Sequence, residues 1–350
     1  MNSENNKYSV SVIIPSYNMA DLLPRAVASA AEQLLPPAEI IVVDDGSSDN
    51  TVEILETLKQ KHPSLRYTSQ ENKGNAGAKN TGIQIANGNW LAFLDADDAW
   101  LPNRLSSQVE LLKENAELKW VAGGYVQVRY RDGSPVVVAQ PRISEAVKRT
   151  GSGVYNALDL ISGKTSVWIG AVTACKESIK SLDCFCEDLL GCDDSDLWIR
   201  MAIAHEKIGF VVEPVSRYTV AQQNSLTGQA ARTISPSQFT HYERLTRLIN
   251  ETKNETQRNQ IKSILQGKTE GSLTSMLRTR SFGQAKLFIE ELKRRKLPVP
   301  SWRPTKSSWS AWSSRDVQLL APDFAYFIML LFGNFWQPES LAQQSLKLFE

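Results

Sequence analysis

The chain has 350 residues, of which 42% are hydrophobic and 22% are charged. This composition is typical of a globular protein that buries a core, and the length suggests about two structural units. The formal net charge of +1 excludes a chain that binds nucleic acid through its overall charge.

The predicted elements begin after eight polar residues that do not resemble a signal peptide. Short β-branched or aromatic runs predict strands, and runs with helical spacing follow each of them. The strands are predicted at 9–14, 39–43, 65–69 and 90–94, with helices at 21–34, 50–61 and 78–87. This alternation predicts an α/β fold with a mostly parallel central sheet. Further strands follow residue 120, a helix is predicted over 196–204, and the chain becomes mainly helical from 235.

Polar clusters follow three of these strands, with the sequences PSYN at 15–18, DDGS at 44–47 and DADD at 95–98. Right-handed crossovers bring the carboxyl ends of parallel strands to one edge of a sheet, where α/β proteins bind ligands. The sequence therefore predicts a binding site at this edge.

The three carboxylates of residues 95–98 would repel one another unless a cation lay among them. Mg2+ or Mn2+ is the expected occupant, because both prefer carboxylate and phosphate oxygens. The alternative is a solvated acidic turn in which Asp98 caps the next segment. Asp45 could accept a hydrogen bond from a uracil ring on which Tyr17 stacks, although a turn aspartate and an ordinary loop tyrosine are equally open. The sequence has neither G-x-G-x-x-G nor a P-loop, so Lys79 is a candidate for neutralising a pyrophosphate.

Four segments resemble family 2 glycosyltransferases: SVIIPSYN (11–18), VVDDGSSDNT (42–51), NKGNAGAKNTGI (72–83) and LAFLDADDAWLPNRL (91–105). The resemblance covers about 9–228 and implies the GT-A fold, a nucleotide-sugar donor and transfer with inversion. It predicts a catalytic domain over 9–230, with a nucleotide-binding half (9–120) and an acceptor-binding half (120–230), and a helical region over 235–350. The implied enzyme transfers a hexosyl or related group, with UDP as the favoured nucleotide, to a glycan or lipid-linked acceptor. Such an enzyme would act in cell-surface polysaccharide or lipopolysaccharide synthesis.

The same resemblance assigns roles to individual residues. It implies nucleotide contacts for Pro15, Tyr17, Asn18 and Asp45, and weaker ones for Lys79 and Asn80. It makes Asp97 a ribose or metal ligand and Asp98 a metal ligand, with Mn2+ or Mg2+ as cofactor, while Asp95 helps to shape the loop.

The catalytic base is expected further along the chain. Residues 185–202, FCEDLLGCDDSDLWIRMA, resemble the acidic segment of the family, which makes Asp194 the base. Asp193 stands where glutamate is usual, and Asp196 is predicted to cap the following helix.

The sequence departs from the family pattern at Ala221, where the family commonly has a histidine near the metal or diphosphate. Gln222, Gln223 or water could replace it, or the enzyme could be a catalytically weakened nucleotide-sugar-binding protein. His62, His205 and His241 are each predicted at the surface. A second alternative is a haloacid-dehalogenase-type phosphatase, since WLAFLDADD also fits an apolar strand followed by D-x-D.

Two remaining features bear on location. The close spacing of Cys175, Cys184, Cys186 and Cys192 lacks paired C-x2-C motifs, which favours free thiols in a cytoplasmic protein over zinc. The basic run 293–296 precedes Trp302, Trp309 and Trp312, which suggests peripheral contact with the inner face of a membrane. A helical domain with a solvated basic face is the alternative. The apolar run near 324–332 is too short to cross a bilayer.

Overall fold

The structure is a computed structural model that describes residues 7–140, 142–163, 165–220, 235–278 and 281–300. The described residues form two compact units. The first contains residues up to 220 together with 254–261, and the second contains 235–253 together with 262–300. Ala221 and the three tail tryptophans lie outside the described residues.

The first unit is built on a ten-stranded sheet. Its strands are β1 (Val10–Ser16), β2 (Glu39–Asp44), β3 (Leu65–Ser69), β4 (Trp90–Phe93), β5 (Ala99–Trp100), β6 (Trp120–Arg131), β7 (Ser134–Ala139), β8 (Gly153–Asn156), β9 (Thr173–Cys175) and β10 (Lys207–Thr219). Every residue of β1 and β2 is buried, as expected for parallel strands covered on both faces.

Eight helices lie between these strands: α1 (Leu23–Ala31), α2 (Thr51–Lys61), α3 (Gly74–Ile85), α4 (Arg104–Glu114), α5 (Glu145–Thr150), α6 (Ala157–Ser162), α7 (Lys176–Ser181) and α8 (Asp193–Ala204). A 3-10 helix covers Ile169–Ala171. Helix α3 begins at Gly74, four residues before the predicted start at 78. Its Gly82 lies against β1, where a Cβ atom would come 2.5 Å from Cγ2 of Ile13, so only glycine allows this close approach.

The strand order is β3-β2-β1-β4-β9-β6-β10-β5, with β7 paired to β6 and β8 paired to β10. Strands β1 to β4 are parallel, and β9 is antiparallel to both β4 and β6. Because β6 and β10 are parallel to each other, six strands run in one direction. The predicted α/β fold with a mostly parallel sheet is confirmed. Ser16 pairs with Asp44, so the polar ends of β1 and β2 are neighbours.

An aromatic cluster fixes α8 to the sheet. Phe93 of β4 packs edge-on against Phe185 with ring centroids 5.3 Å apart, and Trp120 of β6 stacks on Trp198 of α8 at 5.9 Å. Trp120, Trp198 and Phe93 are almost fully buried. The start of α8, which carries the predicted base, is therefore supported by packed aromatic rings.

The second unit is helical, with α9 (Pro236–Glu251), most of α10 (Glu255–Arg278) and α11 (Phe282–Arg294). Its core includes Phe239, Tyr242 and Phe288. The predicted surface position of His241 is wrong: its side chain is fully buried on the inner face of α9 beside this cluster. In the basic run, Arg295 pairs with Glu243 and Glu291, and Arg294 pairs with Glu291. None of the helices in the described ranges is long and apolar enough to cross a membrane.

Candidate active site

Asn18 joins the two loops that follow β1 and β2. Its backbone N–H donates to Oγ of Ser47 over 2.9 Å, and its Oδ1 accepts from the N–H of Ser48 over 2.8 Å. Its φ of 53° lies in the left-handed region, which asparagine tolerates better than most residues. Pro15 is buried within β1. Tyr17, in the loop that follows, is 49% exposed, so its ring is available to a ligand.

Asp45 is buried, with 3% of its surface exposed. Its Oδ1 accepts hydrogen bonds from Nε2 of Gln70 at 2.7 Å and from the N–H of Lys73 at 2.9 Å. Asp45 therefore holds the loop after β3 in place. Its predicted contact with uracil stays a prediction, since one oxygen already has two donors.

The acidic loop after β4, residues 95–98, contains a buried carboxylate oxygen that accepts no hydrogen bond from the described residues. Asp98 is only 1% exposed, and its Oδ1 accepts from the N–H of Thr219 at 2.6 Å. Its Oδ2 has no hydrogen-bond partner among the described residues. Burial, together with the charges of Asp97 and Asp95, raises the pKa of Asp98 well above the usual range. This burial excludes the alternative of a solvated turn.

The other two carboxylates of the loop share this environment. Burial raises the pKa of Asp97, although Arg25 opposes the shift. Burial also raises the pKa of Asp95 to about 6, against the opposing charge of Lys79. Arg25 and the Thr219 hydroxyl each donate to the backbone carbonyl of Asp97 over 2.5 Å, and these contacts fix the loop. The sequence analysis gave no role to Arg25 or Thr219, because both act on a backbone carbonyl that is distant in the chain.

Lys79, a predicted nucleotide contact, has an internal partner. It is 1% exposed, and its Nζ lies 2.6 Å from Oδ2 of Asp193. Burial alone would lower the pKa of Lys79, yet the charges of Asp193, Asp95 and Asp194 hold it above its usual value. The ammonium group thus neutralises the acidic loop and the start of α8 from within the protein. Its nucleotide contact stays a prediction.

Asp194 lies in the first turn of α8, where its Oδ1 accepts from the N–H of Ser195 at 2.6 Å. Its charge contributes to the raised pKa values of both Asp95 and Lys79, so it lies beside the acidic loop. A partly buried carboxylate at a helix start, close to Asp95 of the acidic loop, fits a proton acceptor.

The predicted capping role of Asp196 is wrong. The helix begins three residues earlier, at Asp193, with Cys192 at the N-cap position. Asp196 is fully buried one turn inside the helix, and its Oδ2 accepts from Nε of Arg200 at 2.8 Å. Arg200 also donates to the carbonyls of Leu182 and Cys184. This ion pair attaches α8 to the segment that precedes it.

Asn80 links α3 to that same preceding segment. Its Oδ1 accepts from the N–H of Phe185 at 3.0 Å, and its Nδ2 donates to the Phe185 carbonyl and to Glu187, both at 2.9 Å. The four cysteines are free thiols. Within the described ranges, no group of three or more His, Cys, Asp or Glu side chains is arranged to hold a metal ion by itself.

Comparison with known proteins agrees with this geometry. Residues 11–147 match the family described as Glycosyl transferase family 2. The UDP-Glc:alpha-D-GlcNAc-diphosphoundecaprenol beta-1,3-glucosyltransferase WfgD of Escherichia coli is 38% identical over 119 residues, 34% of this chain and 46% of its own. The putative teichuronic acid biosynthesis glycosyltransferase TuaG of Bacillus subtilis is 37% identical over 133 residues, 38% of this chain and 52% of its own. The chain thus spans about half the length of these curated relatives.

Two solved structures share the fold. TarS residues 1–349 of S. aureus in complex with UDP-GlcNAc has a TM-score of 0.60 at 19% identity, over 92% of this chain and 81% of that one. The mannosyltransferase PcManGT of Pyrobaculum calidifontis, in complex with GDP-Man and Mn2+, has a TM-score of 0.56 at 18% identity, over 93% of this chain and 87% of that one. At such identities the likeness shows the fold alone. Residues 11–147 thus match glycosyl transferase family 2, within a chain whose fold is that of GT-A proteins, and the match favours that class over the phosphatase alternative.

Proposed function

We propose that the protein is an inverting glycosyltransferase that moves a hexosyl or related group from a UDP-linked donor to a hydroxyl of a glycan or lipid-linked acceptor. The observation that carries the proposal is the buried, unpartnered Oδ2 of Asp98 beside Asp95 and Asp97, with Asp194 on the neighbouring helix. The donor and acceptor in the name of WfgD support a UDP-sugar and a lipid-linked acceptor. Cell-surface polysaccharide or lipopolysaccharide synthesis is the corresponding process.

Asp98 and Asp97 are the residues that would hold a divalent cation, Mn2+ or Mg2+. The fit rests on the unsatisfied oxygen of Asp98, because a buried carboxylate without a counter-charge is costly. The buried carboxyls have raised pKa values, and a cation would favour their ionised forms. When bound, such a cation neutralises the nucleoside diphosphate as it leaves. The Mn2+ in the PcManGT structure supports this choice.

The nucleotide would be bound at the ends of β1 and β2. Tyr17 offers an exposed aromatic face on which a base can stack, and Asp45 faces the same pair of loops. Asn18 would act mainly by holding Tyr17 in place through its bonds to the 47–48 loop, while Pro15 shapes the strand end. Lys79 would act on the diphosphate through its charge.

Asp194 would take the proton of the acceptor hydroxyl as that oxygen attacks the anomeric carbon of the donor. The bond from the anomeric carbon to the diphosphate oxygen breaks in the same displacement, so the configuration inverts and UDP leaves with the electron pair. Asp193 cannot share this role easily because Lys79 already holds its carboxylate.

The proposed catalytic domain covers 9–230, and every described residue of the mechanism lies in the first compact unit. For the helical region 235–350 we propose peripheral contact with the cytoplasmic face of a membrane. Arg294 and Arg295 are partly neutralised by Glu291 and Glu243, so the contact would depend on Lys296 and on residues beyond 300.

The test uses the full chain with a panel of UDP-sugars and GDP-mannose, with Mn2+, Mg2+ or EDTA. We expect one UDP-sugar with a cation to raise Tm and to release UDP, and EDTA to abolish both effects. Failure of every nucleotide to shift Tm would reject the proposal. Binding without UDP release, in the presence of acceptor-containing membrane extract, would instead favour a weakened nucleotide-sugar-binding protein.

A further inference from the structure

Three aromatic side chains form a cluster, here called the aromatic wall. Tyr125 lies on β6, Trp168 directly precedes the 3-10 helix, and Tyr218 is next to the last residue of β10. The ring centroids of Tyr125 and Trp168 are 4.9 Å apart, and those of Trp168 and Tyr218 are 5.3 Å apart. Trp168 and Tyr218 are only partly buried, so their rings reach the protein surface.

The aromatic wall adjoins the acidic loop. Tyr218 directly precedes Thr219, whose N–H donates to Asp98. Burial raises the pKa of the Tyr125 hydroxyl, and the charges of Asp194 and Asp98 add to this shift. The wall therefore flanks the site on the side of the proposed base.

A buried arginine holds the segment that carries Trp168. Arg104 is fully buried, and its guanidinium donates to the carbonyls of Gly170 at 3.2 Å and Val172 at 2.9 Å. The hydroxyl of Ser216 donates to the same Gly170 carbonyl at 2.8 Å. The backbone beneath the indole is thus fixed from both α4 and β10.

Gly170 also sets the position of the indole itself. A Cβ atom at residue 170 would come within 2.1 Å of the Trp168 ring, so the ring lies directly on the glycine backbone. The indole can keep this position only with glycine at 170. A buried scaffold and a glycine contact together hold a partly exposed tryptophan, which also packs against the hydrophobic core, in a fixed position next to Tyr125 and Tyr218.

We propose that the aromatic wall binds a sugar ring of the acceptor, which stacks its C–H face on Trp168 and Tyr218. This inference rests on the proposed function and names the acceptor subsite of the same site. A pyranose ring has an apolar C–H face and a polar edge, and aromatic side chains with a few nearby polar groups suit such a ligand. Asp194 beside the wall supplies the polar group that a reacting hydroxyl needs.

The position favours the acceptor over the donor. Tyr17 and Asp45 follow β1 and β2, whereas the wall belongs to β6, β10 and the segment before β9. In the sheet order, β4 and β9 separate these two groups of strands. A donor nucleotide at β1 and β2 therefore leaves the wall available to a second ligand.

The test measures binding of three octyl glycosides, the β-glucoside, the β-galactoside and the N-acetyl-α-glucosaminide, to the full chain saturated with UDP and Mn2+. Calorimetry compares wild type with Trp168→Phe, Trp168→Leu and Gly170→Ala. Tyr67→Leu is the matched control, because Tyr67 is a partly buried aromatic residue on β3, at the opposite end of the sheet order.

At least one glycoside should bind to wild type. Trp168→Leu should weaken its Kd about 10-fold and Trp168→Phe about 3-fold, since phenylalanine keeps an aromatic face. Gly170→Ala should weaken it although Trp168 is intact, and Tyr67→Leu should leave it unchanged. Unchanged Kd in Trp168→Leu, or no binding of any glycoside to wild type, would overturn the proposal. UDP affinity is measured in parallel. If wild type did not bind UDP, the proposed function would be rejected. If Trp168→Leu binds UDP as tightly as wild type does, its weaker glycoside binding is confined to the acceptor side.

Discussion

Nζ of Lys79 lies 2.6 Å from Oδ2 of Asp193, and both side chains are almost completely buried. The pair joins α3 to the first residue of α8, directly before the proposed base Asp194. The aspartate at the position where the family usually has glutamate thus has a structural partner. The pair also brings a positive charge to Asp95 and Asp194.

Lys79→Met should destabilise the fold, because it leaves the Asp193 carboxylate buried without its partner. Loss of one member of a buried pair typically costs about 3–5 kcal/mol. Urea unfolding at pH 7.5 measures the change. The double variant Lys79→Met/Asp193→Leu should recover much of the loss, since it removes both charges. A single variant as stable as wild type would contradict the role of this pair.

Asp194→Asn should lower kcat by roughly 10²–10⁴-fold, because the amide cannot accept the proton of the acceptor hydroxyl. UDP affinity and Tm should stay close to wild type. Initial rates of UDP release with acceptor present measure the effect. Asp188→Asn is the control, since Asp188 is an exposed carboxylate of the same acidic segment. Near-normal turnover in Asp194→Asn would remove this residue from the mechanism.

Asp98→Asn should stabilise the protein in EDTA at pH 8 while abolishing stabilisation by Mn2+. The pKa of Asp98 is raised in the folded protein, so the folded state favours its protonated form. Protonation of Asp98 therefore contributes to the stability of the folded protein. This contribution is complete below the ordinary aspartate pKa of 3.8 and is lost as the pH rises through the raised pKa of Asp98 in the folded state. The variant replaces an unpartnered buried carboxylate by a neutral amide of the same size. The cost of an unsatisfied buried polar group is about 1–3 kcal/mol and higher for a charged one, so we expect a gain of about 1 kcal/mol or more from loss of the charge.

The pH dependence checks the sign of this effect. Urea unfolding of Asp98→Asn and wild type at pH 8, 6 and 4.5 should show a difference that shrinks as pH falls, because Asp98 becomes protonated in wild type. A difference that grows at low pH, or a variant less stable than wild type at pH 8, would show that the buried charge already has a partner.

Tyr17→Leu should weaken UDP affinity by about 5- to 150-fold, since stacking of a base on an aromatic ring contributes about 1–3 kcal/mol. Tyr17→Phe keeps the ring and should bind UDP nearly as well as wild type. Stability should not change in either variant because the side chain is half exposed. Calorimetric titration with UDP and Mn2+ measures both. Equal affinities in Tyr17→Leu and wild type would place the base elsewhere.

The sequence predicted the sheet and the position of the acidic loop because both are local signals. Buried strands such as β2 and β4 are continuous apolar runs, and the carboxylates of Asp95, Asp97 and Asp98 directly follow one of them. Parallel pairing then requires that the strand ends meet.

The contacts that hold the site could not be predicted, because their partners are distant in the chain. Lys79 and Asp193 are 114 residues apart, and Thr219 is 121 residues from Asp98. The capping role expected for Asp196 failed for a similar reason. The sequence favours an aspartate as the N-cap, but the helix begins at Asp193, and Asp196 instead pairs with Arg200 one turn inside it.

The position of β9 in the sheet determines where the chain can be truncated without loss of the fold. The segment that matches the family ends at residue 147, yet Thr173–Cys175 lies between β4 and β6 and pairs with both. A chain truncated at 147 would leave one side of β4 unpaired and would remove both β9 and β10 from β6. Exposed strand edges of this kind favour aggregation. The segment that matches the family is therefore not an independent folding module, and a swap of donor specificity between relatives would have to carry β9 and β10 with it.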